Sequence, residues 1–105
     1  MDLKDGTYRI GGFNVEDIVA LAGTPVYVYD TAVMSAQVLR LKRAFARMDV
    51  RILYACKALT NINVLRHLRA QGCGLDAVSI QEVELALHAG FTPDEVLFTP
   101  NMVAY

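Results

Sequence analysis

The chain has 105 residues, enough for one domain. Its 10 basic and 11 acidic residues leave a net charge of −1, so nothing electrostatic draws it to nucleic acid or an anionic membrane. No apolar run approaches the roughly 20 residues that span a bilayer, and Met1-Asp2-Leu3-Lys4-Asp5 lacks the basic and apolar regions of a secretory signal.

The first predicted helix is Val15–Ala22, with Asn14 as N-cap, Asp17 three positions on and Gly23 closing it. Positions 26–29, Val-Tyr-Val-Tyr, read as a short strand. A longer helix follows Asp30 or Thr31, where Met34, Val38, Leu41, Phe45 and Met48 alternate at spacings of four and three and share one face. Its basic residues read as a solvated or inter-subunit face.

Runs 50–56, 75–78 and 96–99 are nearly continuous in apolar residues, as parallel strands buried on both faces are. Helices lie between them. One ends at Gly72 and starts near Asn61 and Asn63, where a capping role is the default. The other is Ile80–Ala89, opened by Ser79 with Glu82 in the capping-box position and closed by Gly90. Alternation of strand and helix calls for parallel strands with crossovers. Units of roughly 20 to 24 residues fit a (β/α)8 barrel. A doubly wound sheet would alternate likewise, but no G-x-G-x-x-G follows any strand. Residues 1–29 do not fit the repeat and are expected to form a strand-helix-strand lead-in, packing with a second β domain. Residues 30–105 are expected to be the first part of the barrel. The apolar share, 54%, is high for so short a chain and suggests faces meant to pack against further chain.

Lys57 closes the first parallel strand, in Leu53-Tyr54-Ala55-Cys56-Lys57-Ala58. Barrel active sites are built at that end. A lysine partly desolvated there is a nucleophilic amine suited to Schiff-base chemistry. On position alone, a lysine marking the strand's exit into water is the simpler account. Asp76 is a carboxylate within a buried strand, which requires a partner. Backbone amides at the strand's mouth are one such partner. Ala55 is small where a cofactor or strand neighbour passes close, and Cys56, next to it, points to the helical layer. Ser79 and Glu82 are explained as a cap. His67 and His88 have no partners at metal spacing, and no metal site is expected. Cys56 and Cys73 match no zinc pattern and are too few for a disulfide framework, so they read as reduced thiols of a cytosolic protein.

Four segments resemble one family in order and spacing: Gly23-Thr24-Pro25-Val26-Tyr27-Val28-Tyr29-Asp30; Tyr54-Ala55-Cys56-Lys57-Ala58; Gly72 to Ser79 with Gln81-Glu82-Val83-Glu84; and Phe98-Thr99-Pro100-Asn101. They are similar to the N-terminal part of the diaminopimelate decarboxylases, within the alanine-racemase-like group of enzymes dependent on pyridoxal 5'-phosphate (PLP). The resemblance implies that Lys57 forms the imine with PLP, with Asp76 beside it on the neighbouring strand and Ala55 at the cofactor. It implies decarboxylation of meso-diaminopimelate to L-lysine, in lysine biosynthesis, by a cytoplasmic homodimer acting on a small amino acid. Two alternatives stay open: a decarboxylase of ornithine, arginine or a carboxylated polyamine, and a short non-catalytic homologue that pairs with a full-length enzyme. In the resembling family the phosphate loop and the partner of the pyridine nitrogen come from later strands, so these residues alone are expected to be inactive.

Overall fold

A computed structural model describes residues 1–100. Asn101, counted above with the end of the third barrel strand, lies outside the described residues. Contacts divide the chain into two units, Met1–Met34 and Ser35 onward, taken here in turn.

The first unit begins with three short antiparallel strands in sequential order: β1 (Asp2–Lys4), β2 (Thr7–Ile10) and β3 (Phe13–Asn14). Two-residue turns join them, Lys4 pairing with Thr7 and Ile10 with Phe13. Helix α1 (Val15–Ala22) follows directly. Asn14 stands at the N-cap position with extended backbone, yet its side chain makes no capping bond, so the first turn is served instead by the charges of Glu16 and Asp17. The N–H of Gly23 closes the helix on Val19 O at 2.7 Å. The expected strand-helix-strand is therefore corrected to three strands and a helix. Positions 26–29 pair with no strand among the described residues, and all four side chains are exposed. Their β-branched and aromatic composition favours extension, but only pairing makes a strand.

Helix α2 (Thr31–Ala44) starts where expected. Asp30 Oδ1 accepts from the N–H groups of Ala32 (2.9 Å) and Val33 (3.3 Å), which caps it. The helix stops before the end of its apolar stripe. Phe45 and Met48 fall in tight turns beyond it, and Val38 is the buried member of the stripe.

The second unit carries a parallel sheet in the order β4 (Leu53–Ala55), β5 (Gly74–Ala77), β6 (Val96–Phe98). Helices α3 (Ile62–Ala70) and α4 (Ile80–Ala89) connect the strands. Leu53 pairs with Gly74 and Leu75 with Val96, the same offset of 21 positions at both junctions. Both helices end in a Schellman turn. Cys73 N bonds Leu68 O while Gly72 N bonds Arg69 O, and Phe91 N bonds Ala86 O while Gly90 N bonds Leu87 O. The left-handed residues these turns require are Gly72 (φ 75°) and Gly90 (φ 104°).

Burial on both faces holds for β5, whose Gly74, Leu75 and Ala77 are buried. Strands β4 and β6 are only partly covered, because each has a neighbour on one side among the described residues. Leu65, Leu75, Cys56, Ala77, Ala86, Ala89 and Phe91 form the core between sheet and helices. Gly74 is held to glycine by space. A Cβ there would come within 2.5 Å of a Leu53 methyl and 2.6 Å of the Glu95 carbonyl oxygen.

Candidate active site

Strand alternation sorts the side chains of the sheet into two faces. Leu75, Ala77 and Cys56 lie in the core beneath the helices, with Tyr54 and Val96 packed against them. Leu53, Ala55, Asp76 and Leu97 therefore face the other way. The register sets Ala55 level with Asp76, and Asp76 level with Leu97. In a (β/α)8 barrel the face away from the helices is the interior, and its C-terminal end carries the chemistry.

Lys57 lies two residues past Ala55, in a 3-10 turn (Cys56–Ala58) that ends β4. It is exposed, so the partial burial expected of it is not supplied by these residues. No hydrogen bond or ion pair engages its amine among the described residues. The ion pair they contain is Arg69 to Glu95, at 2.9 Å. Asp76 is half-buried, and its partner is neither Lys57 nor a backbone amide. Its Oδ1 accepts from the Thr99 hydroxyl, just past the end of β6. Thr99 is tied to the sheet by its own N–H, which donates to Ala77 O at 2.8 Å. Thus β4, β5 and β6 bring Lys57, Asp76 and Thr99 to one end of the sheet. Thr99 had no place among the candidate residues. The hydrogen bond that marks it spans 23 positions, and no local pattern signals it.

The other candidates resolve structurally. Ser79 Oγ accepts from Glu82 N at 3.2 Å, as a cap should. The Glu82 carboxylate returns to Val78 N at 2.8 Å, one residue earlier than the capping box predicts. Asn61 caps α3, its Oδ1 accepting from Asn63 N and Val64 N. His67 Nε2 lies 2.9 Å from Ser35 Oγ. No cluster of His, Cys, Asp or Glu suited to a metal occurs among the described residues. Cys56 is fully buried, as expected of a residue facing the helical layer, and both cysteines are free. Burial pushes the Cys56 thiol up, with the Glu82 charge adding to it. Burial likewise raises Cys73, against the pull of Lys42. No helix is long and apolar enough to cross a membrane among the described residues.

Comparison with known proteins bears on the family and the fold. The profile of the family described as "Pyridoxal-dependent decarboxylase, pyridoxal binding domain" matches residues 31–104. Diaminopimelate decarboxylase of Methanothermobacter thermautotrophicus is 44% identical over 100 residues, which cover 93% of this chain and 23% of the relative. The Escherichia coli K12 diaminopimelate decarboxylase is 38% identical over 94 residues, 86% of this chain and 21% of its own. A crystal structure of diaminopimelate decarboxylase from M. jannaschi matches with a TM-score of 0.90 at 29% identity, covering 96% of this chain and 25% of that one. The chain thus spans about a quarter of the length of these relatives. Its fold is α/β, the opening strands and helices of a (β/α)8 barrel. With the match running from α2 through β4, β5 and β6, the chain belongs to the pyridoxal-dependent decarboxylases, within their pyridoxal binding domain.

Proposed function

We propose that Lys57 is the residue through which PLP is held, and that the reaction served is decarboxylation of meso-diaminopimelate to L-lysine. The observation that carries this reading is the placement of Lys57. Its side chain is exposed and unpaired among the described residues, two positions past Ala55, which the register sets level with Asp76 of β5. These residues suit an aldehyde cofactor. A lysine without a hydrogen-bond or ion-pair partner is open to an aldehyde once its nitrogen gives up a proton, Ala55 leaves space on the inner face, and Asp76 supplies a fixed negative charge. When bound, the cofactor supplies a sink for the electron pair left as CO2 departs. The chain's own contribution is to present the amine, keep it clear of competing ion pairs and set a carboxylate nearby.

The names of the relatives support diaminopimelate over ornithine, arginine or a carboxylated polyamine. The same reading makes the substrate a small amino acid, the location cytoplasmic and the working assembly a homodimer. It also leaves residues 1–29 as a lead-in against a second β domain.

Borohydride reduction of the chain with PLP, followed by peptide mapping, tests the assignment. The expected product is a phosphopyridoxyl group on Lys57, absent from Lys57→Arg. Lys4 and Lys42 are the other lysines in the sequence, and Lys42 Nζ is already engaged with Gln71 O. Label spread equally over all three would overturn the assignment.

A further inference from the structure

We propose that Thr99 is a positioning residue of this site, acting by fixing the Asp76 carboxylate at the end of the sheet where Lys57 stands. This rests on the reading of Lys57 as the PLP lysine. The geometry has two parts. Thr99 is itself anchored, because its N–H bonds Ala77 O at 2.8 Å across the β5–β6 junction. Its hydroxyl then donates to Asp76 Oδ1. A donor held by the backbone of a neighbouring strand restricts the carboxylate to one orientation. Asp76 Oδ2 has no hydrogen bond among the described residues. It is the oxygen left to meet the Lys57 amine or a polar group of the cofactor. A carboxylate at this level of the sheet without such a donor would swing among rotamers, and its charge would act on the amine only part of the time.

The register explains why the donor comes from β6. Asp76 is level with Leu97, and Thr99 lies two positions further on, so both side chains belong to the inner face. The helical face offers the carboxylate no such partner, being filled by Cys56, Ala77 and Leu75.

The test uses the full chain, with borohydride trapping of PLP at Lys57 measured as a function of pH and of PLP concentration. Thr99→Val keeps the shape and removes the donor, while Thr99→Ser restores it. The expected result is that Thr99→Val weakens trapping at Lys57 by about three- to tenfold and displaces the midpoint of its pH profile. Thr99→Ser is expected to return both toward the parent. In an Asp76→Asn background, Thr99→Val should add little, because the two act as one unit. Circular dichroism melts of each variant separate this from loss of fold. Trapping in the parent chain that is unchanged by Thr99→Val overturns this inference alone. So does an equal effect of Thr99→Val with and without Asp76. Failure of the parent chain to be trapped at Lys57 overturns the PLP reading and this inference together.

Discussion

Lys57 and Lys42 carry the same ammonium under different circumstances. Lys42 donates to Gln71 O at the end of α3, where the helix's carbonyls favour a cation. Lys57 is unengaged among the described residues, which leaves its nitrogen accessible to an aldehyde once it gives up a proton. Buried thiols form the opposite case. Cys56 and Cys73 are 0% and 3% exposed, and burial favours their neutral form. A maleimide at neutral pH is expected to label neither in the folded chain and both after denaturation. Rapid native labelling would show that the core opens. Glu95 makes a pH prediction. The Thr92 N–H, then Arg69, hold its carboxyl below its ordinary range. A lowered folded value means the carboxylate is favoured by folding. That stabilisation is present above the unfolded carboxyl's value of about 4.3 and is lost as pH falls through the folded one. Urea midpoints of Glu95→Gln should therefore drop less on acidification than those of the parent. An equal drop would show that the charge on Glu95, with its bonds to Thr92 and Arg69, carries no stability. At this scale position alone left Lys57 as a lysine at a strand's exit, and the resemblance of Tyr54-Ala55-Cys56-Lys57-Ala58 to a family segment is what singled it out. The sequence could not announce Thr99, or the return of Glu82 to Val78, because those bonds depend on where the backbone lies.

The elements differ in how plainly they were written. Helices α1 and α4 match the sequence reading to the residue, because a polar opener, an apolar period and a closing glycine agree. Strands β4 and β6 came out shorter than the apolar runs that contain them, and β5 is shifted one residue back from its run, starting at Gly74. Apolar content marks burial, whereas pairing marks a strand. Positions 26–29 show that distinction in full. Gly74 was legible as a glycine but not as a constraint. Only the approach of Leu53 and the Glu95 carbonyl shows that no Cβ fits. Gly74→Ala is expected to cost about 1–3 kcal/mol by overpacking, read as a lower denaturant midpoint. Leu75, fully buried on the same strand, gives the complementary loss. Leu75→Ala should cost about 2–5 kcal/mol through the cavity it leaves. If Gly74→Ala proves neutral, β5 must be able to shift away from β4.

At the scale of the whole molecule, three consecutive strands supply one end of a site and leave apolar side chains uncovered. Leu97 is 49% exposed and Phe98 40%, both on β6. Sheet edges with apolar side chains promote association. The chain of these 105 residues is expected to enlarge with concentration in light scattering, and to release no CO2 from diaminopimelate while still accepting PLP at Lys57. Turnover by this chain alone would show that Lys57 and its neighbours suffice.

The identical offset of 21 positions between successive strands has a consequence for how such a chain is made. Strands β5 and β6 each pair with the one translated just before them. No strand of this sheet has to wait for a distant partner among the described residues. As synthesis proceeds, β5 can dock on β4 once α3 has emerged, and β6 on β5 once α4 has. Folding can then keep step with the ribosome, one strand and one helix at a time, with each closure spanning the same short loop. An order of assembly is thereby built into the spacing, and the strand that leads into Lys57 is laid down first.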